Sequence, residues 1–452
     1  MKGIHRASVL AVVTFAMLQA ATAREPLAEA LRHHRSALAT EQCGGENCAA
    51  VVRGLMTFVD RRLKGLGGNG RACVDCHMAE DSFQLSPASA QARHQALQWR
   101  RRFNPNAQDP LFLPIDADDF RIHGAEAGDF SNLLENGLVR VTLPLPANIR
   151  LVDPITNAVS AETVADVWRM VPSVNDVRLT GADGANPQWP RGPNVTGGYQ
   201  LDGRKADLQQ QALGAFEAHA QITTAPPQRL LDDLAAFQNV LFSSSRARRL
   251  ADALRNGQLP LPDVDPPMSE LAQQGKVVFQ RACAQCHGGP GQSTTQAPLP
   301  LRFHDISSQC PRPVDTVVPA RFTFAPCPAR LARNARTYEI TLANGTVVRR
   351  TSSDPGRALL TGFVGGPPPA DDWNKLDVNG LRGIARTAPY FHNNSADTLE
   401  QVIEHYIAFY KRAQVTAPPG VVPPFTTTDG VHFDRQPRPE ETAALVAYLK
   451  VL

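Results

Sequence analysis

Aromatic side chains make up only 6% of this 452-residue chain, and its charge is nearly balanced, with 46 basic against 43 acidic residues. Balance of that kind leaves no electrostatic footprint for nucleic acid. The only tight basic runs, Arg100–Arg102 and the "RARR" at 246–249, read as solvated helix faces. Beyond the N-terminal segment there is no stretch of about 18 apolar residues, so no membrane span is expected in the mature chain. Few aromatics, together with 37 Pro and 32 Gly, predict short helices joined by long ordered loops more than one large sheet.

The first 23 residues run from Lys2 and Arg6 through "SVLAVVTFAML" to the small residues Ala21, Thr22 and Ala23. This order of charge, apolar run and small residues is that of a secretory signal peptide, and it predicts export. An oxidising compartment would not leave eight cysteines free. Four of them are absorbed by "ACVDCHM" and "ACAQCHGG", which contain Cys73, Cys76, His77 and Cys283, Cys286, His287. In this spacing the thiols can bond both vinyl groups of one porphyrin while the next residue, histidine, coordinates the iron. With 8 Cys and 12 His, chance would give about 0.004 such patterns, and two are present. A zinc site would need two more ligands at matching spacing, and a redox dithiol does not need the histidine. Two covalently bound c-type haems are therefore expected. Cys43, Cys48, Cys310 and Cys327 allow three disulfide pairings, of which 43–48 with 310–327 closes the shortest loops.

Both haem motifs have similar surroundings. Gly54 and Phe58 precede the first, and Gly275 and Phe279 the second, with amphipathic segments at 230–242 and 440–452 closing each half. A glycine on one helix lets another cross closely with an aromatic at the crossing. The fold class expected is mainly α: two cytochrome c-like haem domains, 24–258 and 259–452, with loop and small β insertions. The proline-rich stretch 256–268 is the linker. "GLVRVTLPLPANIRLV" and "YEITLANGTVVRRT" carry β-type patterning, the second turning at Asn344 and Gly345.

With the closing segment "LRGIARTAPYFHNNSADTLEQVIEHY", "PSVND" from Pro172 and "LDGRKADLQQQALG" from Leu201, most of the chain resembles the bacterial diheme cytochrome c peroxidase and MauG family. The resemblance implies that peroxide reacts at the N-terminal haem, while a six-coordinate C-terminal haem stores or relays electrons. It places the second axial ligand of the C-terminal haem 17 residues after the proline of "TAPYFH". That is Tyr406 (406 − 389 = 17), where peroxidases of the family usually have Met and MauG-type enzymes Tyr. A phenolate oxygen stabilises oxidised iron, whereas a thioether raises the potential. A buried core aromatic is the other reading, because Leu399, Val402, Ile403 and Tyr406 share one helix face. Asp397 and Glu400 have capping-box spacing for that helix. His405 is expected at the surface or as a hydrogen-bond partner, with ligation the alternative. His392 is expected to hydrogen-bond a propionate or a neighbouring group.

The same resemblance assigns the distal peroxide site. Leu201 stands where the family has the tryptophan of "WDGR", and Arg204 is its arginine. Gln211 matches the distal glutamine. Gln221 stands where the family has an acid that moves protons, with Glu217 and His219 as nearby substitutes. His94 is near the place of a displaceable ligand to the first iron, whereas Met78 is expected to pack. Calcium is an option only: its carbonyl ligands would be Thr387 and Pro389, but the asparagine position is Met170, a poor ligand for a hard cation. The expected partners are hydrogen peroxide and either a small periplasmic electron-donor protein or a protein substrate. Two alternatives stand beside this reading, a diheme oxygenase resembling the rubber-cleaving enzymes and a non-catalytic diheme electron carrier.

Overall fold

The computed structural model describes residues 43–180, 199–293, 302–313, 323–366, 371–416 and 436–452. The expected signal peptide and the first residues of the N-terminal domain, up to 42, lie outside them. Helix α1 (Cys48–Val59) starts where the Asn47 side chain accepts from the Ala50 amide. Helix α2 (Pro87–Arg101) begins with a Ser86 cap and proline in its first turn, which needs no N–H there. Strands β1 (Leu138–Pro144), β2 (Ile149–Leu151) and β3 (Val164–Met170) follow. Then come α3 (Leu208–Ala218, capped by Asp207), α4 (Gln228–Gln238), α5 (Ser245–Arg255, capped by Ser244) and α6 (Glu270–Ala282, capped by Ser269). The remaining longer elements are β4 (Phe303–His304), β5 (Arg336–Thr341), β6 (Val347–Ser352), β7 (Leu376–Asp377), α7 (Leu399–Thr416) and α8 (Thr442–Leu449). The structure is mainly helical with small sheets, as composition and spacing predict.

The internal repeat is visible in the packing. A Cβ on Gly54 would lie 1.9 Å from the Asp233 carbonyl oxygen, and one on Gly275 would lie 1.9 Å from that of Ala444. Only glycine permits either approach. One turn further along, Phe58 meets Phe237 and Phe279 meets Tyr448, each pair with ring centroids 5.2 Å apart. Thus α1 crosses α4 as α6 crosses α8, and each crossing anchors a separate apolar core. Burying each of these rings contributes about 2–3 kcal/mol.

The β segments do more than decorate these cores. β1 pairs antiparallel with β3, but β2 pairs with β5, which continues into β6 through the turn at Gly345 (φ +82°). The first half of the chain therefore adds a strand to a hairpin of the second. Cys43 bonds Cys48 and Cys310 bonds Cys327, the local pairing among the three possible. The cap of α7 is shifted one residue from the expected box. Thr398 accepts from the Gln401 amide, and the Gln401 side chain accepts from the Asp397 amide, so Glu400 takes no part.

One buried cation ties the halves together. Arg169, on β3, donates through Nε and Nη2 to Asp354 at 2.7 and 2.9 Å and through Nη1 to Asp202 at 2.6 Å. All three are buried. Burial alone would raise the Asp202 carboxyl, but the charges of Arg169 and Arg204 and their hydrogen bonds outweigh it and hold it at about 2. Asp354 is likewise lowered by Arg169 against its burial. A carboxylate depressed in the folded state stabilises above its unfolded pKa of about 4, and that contribution is lost as pH falls through the folded value. Arg169→Met should cost about 3–5 kcal/mol at neutral pH, because it strips buried Asp354 of its guanidinium and leaves buried Asp202 with Arg204 alone. Denaturant unfolding of wild type and variant should show the difference intact above about pH 4 and shrinking toward pH 2. A difference constant with pH would contradict this assignment.

Candidate functional site: two histidine-bearing cavities

The first motif forms a tight turn, with the His77 amide donating to the Cys73 carbonyl at 2.9 Å. His77 Nδ1 donates to the Phe83 carbonyl at 3.0 Å, which leaves Nε2 with its lone pair available. The second motif repeats the arrangement: the His287 amide meets the Cys283 carbonyl at 2.8 Å, and Nδ1 donates to the Gln292 carbonyl at 3.2 Å. Such a bond fixes tautomer and ring orientation for a metal-ligating imidazole. Burial pushes His287 down to about 4 and also lowers His77, so both rings are neutral at neutral pH. None of the four motif cysteines is in a disulfide. Burial pushes Cys73 and Cys283 up to about 12 and Cys76 and Cys286 up to about 11, the opposite of an activated redox dithiol.

Each motif opens into its own space. Cys73, Cys76 and His77 line a cavity of about 120 Å³ with Gln211, Ala215 and His219, and a neighbouring one of about 110 Å³ shares His77 and Gln211. Cys283, Cys286 and His287 line a larger cavity of about 290 Å³. Paired thiols, a histidine with a free Nε2 and a largely apolar lining fit a covalently held haem in both places. Leu201 and Pro172 border all three spaces, and Met170 borders the first and the largest. The wall between the cavities thus carries leucine where the resemblance implies an indole, with Ser173, Thr180, Asp377 and Asn379 also bordering two of the spaces.

Tyr406 lines the large cavity together with His287. Its hydroxyl has no hydrogen-bond partner among the described residues, and burial pushes it well above the usual phenol range, with the Cys286 and Cys283 thiols adding to the shift. Tyr410 lines the same cavity, but its hydroxyl donates to the Ala282 carbonyl at 2.9 Å. His405 does not reach the cavity and is not at the surface. It is buried between Phe391 and Phe324, with Nε2 donating to the Ile306 carbonyl at 2.7 Å. The helix phase explains this, since one residue along α7 turns the side chain by about 100°. His392 borders the large cavity, with Nδ1 3.1 Å from the Ser308 hydroxyl and a buried Nε2 lacking a partner among the described residues.

The expected distal residues divide. Gln211 lines the first cavity; Arg204 does not, because both Asp202 carboxylate oxygens and Gln200 hold it. Gln221 is exposed, turned outward at φ +50°, and accepts from Asn69 at 3.1 Å. α3 ends at Ala218, so the chain has left the helix before position 221. His219, at the helix end, faces the cavity instead, and Glu217 is exposed. His94 meets Phe112 edge to face and contacts Gln98 without lining any of these cavities, and Met78 packs in a core cluster.

The calcium option does not fit. The Thr387 carbonyl accepts from the buried Gln84 amide at 2.5 Å, which puts an N–H where a cation would need an oxygen, and Met170 offers only a thioether. Gln84 follows Phe83, the residue that orients His77, so this amide joins the first motif to the turn beside the second cavity. Adding EDTA should leave the thermal unfolding midpoint unchanged; a drop of several degrees that calcium restores would show a cation site after all.

No family model and no curated protein matches the chain. Among solved structures, it is similar to a MauG-like protein associated with microbial copper homeostasis, at 19% identity over 89% of this chain and 88% of that one, with a TM-score of 0.39. It is similar to the diheme peroxidase BthA from Burkholderia thailandensis at 16% identity, over 89% and 86% of the two chains, with a TM-score of 0.37. The hydrazine synthase of Kuenenia stuttgartiensis is similar at 15% identity over 89% and 87%, also with a TM-score of 0.37.

Proposed function

We propose that the chain is an exported diheme c-type oxidoreductase that consumes hydrogen peroxide at the haem of its N-terminal domain (24–258). The C-terminal domain (259–452) stores or relays the electrons, drawn from a small periplasmic carrier or from a protein substrate. The observation that carries this reading is the different lining of two sites built on the same motif. The cavity at His287 presents a phenol, Tyr406, whereas the cavity at His77 presents an amide, Gln211, and an imidazole, His219. Phenolate is a ligand for oxidised iron; a glutamine amide is a hydrogen-bond partner for a small oxygen species.

Cys73, Cys76 and His77 would hold one haem and Cys283, Cys286, His287 and Tyr406 the other, and these groups would supply the iron chemistry that reacts with peroxide and carries electrons. Everything else falls to the chain. His77 and His287 are oriented by backbone carbonyls and stay neutral. Leu201, Pro172 and Met170 supply apolar surface between the sites. Gln211 donates to peroxide oxygen through its amide. Tyr406 is protonated while free, so its hydroxyl must release a proton to become a ligand. Among the described residues no helix is long and apolar enough to cross a membrane.

Stoichiometric H2O2 added to the oxidised protein should change its visible spectrum. Gln211→Leu should slow that change about 100-fold. Tyr406→Phe should alter the ligand bands of one haem and leave peroxide binding at the other. No response of the wild type to peroxide would overturn the reading, and unchanged bands in Tyr406→Phe would remove that residue from the coordination sphere.

A further inference from the structure

His219 is a poor fit for a merely structural role. Its backbone is thoroughly held: the amide donates to the Ala215 carbonyl at 2.9 Å, and its carbonyl accepts from Asn69 at 2.9 Å and Arg71 at 3.4 Å. The imidazole takes no part in this and lines the first cavity two turns along from Gln211. Ala215, between them on the same face, is small enough to leave the space open.

Behind the ring sits a second, independent feature. Asp116 is buried, and its Oδ2 accepts from Arg71, itself buried. The other oxygen, Oδ1, has no hydrogen-bond partner among the described residues. It is 3.9 Å from His219 Nδ1, an ion-pair distance once the ring is protonated. A buried carboxylate oxygen without a donor is costly unless a partner gains a proton at some stage. An imidazole with a carboxylate behind Nδ1 and an unpartnered Nε2 is the arrangement of a general base that becomes a general acid.

Resting on the peroxide reading above, we propose that His219, backed by Asp116, moves the proton during peroxide cleavage, in place of the residue at position 221. Nε2 takes the proton from the peroxide oxygen nearer His77 and delivers it to the farther oxygen. The O–O bond breaks with its electron pair on that farther oxygen, which leaves as water. Two electrons from a reduced carrier protein and two protons from solvent turn the remaining oxygen into a second water. Asp116 steadies the imidazolium between the two transfers. Burial lowers the His219 pKa, and Arg71, Arg204 and Arg140 lower it further against the opposing pull of Asp116, so the ring is a free base at neutral pH.

The test uses the haem-loaded protein with two probes, H2O2 and cyanide. Hydrogen cyanide must also lose a proton to bind iron, so its association rate reads the base without any peroxide chemistry. His219→Gln should keep the resting spectrum and lower both rates about 100-fold, whereas His219→Glu should restore at least a tenth of each. Wild-type rates and pH profile in His219→Gln would overturn the proposal. So would equal losses in Gln and Glu variants with cyanide association unchanged. If wild type ignores peroxide while cyanide association still falls in His219→Gln, the proton-handling role stands and the peroxide reading fails.

Discussion

The contact on which the rest of the structure depends is the buried guanidinium of Arg169 between Asp202 and Asp354. It joins a strand of the first half to loops of both halves, and its neighbour Met170 forms part of the wall between the cavities. A buried ion pair of this kind is weak evidence of net stability, because desolvation opposes the attraction. Its value lies in geometry: three planar groups with every charged partner satisfied hold the wall in one register. The same carboxylate, Asp202, pins Arg204, so the arginine of the "LDGR" segment serves the wall and not the cavity.

Around that joint the two sites are built alike and equipped differently. Each has a glycine-mediated helix crossing, a Cys–Cys–His turn and a histidine oriented by a backbone carbonyl. What differs is the lining of each cavity, where α3 supplies Gln211 and its C-cap residue, His219, and α7 supplies Tyr406. Function can diverge between duplicated units when the shared frame is held by backbone contacts and only a few side chains change. The wall between the cavities carries Leu201, Pro172 and Met170 and none of its shared residues is aromatic, so its part is spacing.

Local pattern made much of this legible. The two Cys–x–x–Cys–His motifs are contiguous, so spacing alone marks them, and Gly54, Phe58, Gly275 and Phe279 betray the crossings because helix packing repeats every turn. The register that the resemblance implies points to Tyr406, and the phase of α7 puts that residue on the cavity. The same phase buries His405, which its polarity would put outside. The failures share one cause: long-range partners leave no local signature. Nothing in "DVWRM" marks Arg169 as a buried link across 185 residues, and nothing near Gln84 points to Thr387, 303 residues away. Gln221 lies off the cavity because counting along a helix assumes the helix continues, whereas α3 ends at Ala218 and a positive φ turns the chain outward.

The central claim is that two similar haem sites have unequal access to a small oxidant. Low-temperature electron paramagnetic resonance of the oxidised protein, before and after one equivalent of H2O2, tests it most directly. One high-spin and one low-spin iron signal are expected at rest, both diminished by peroxide although the oxidant enters only the first site. Two low-spin signals unaffected by peroxide would contradict it.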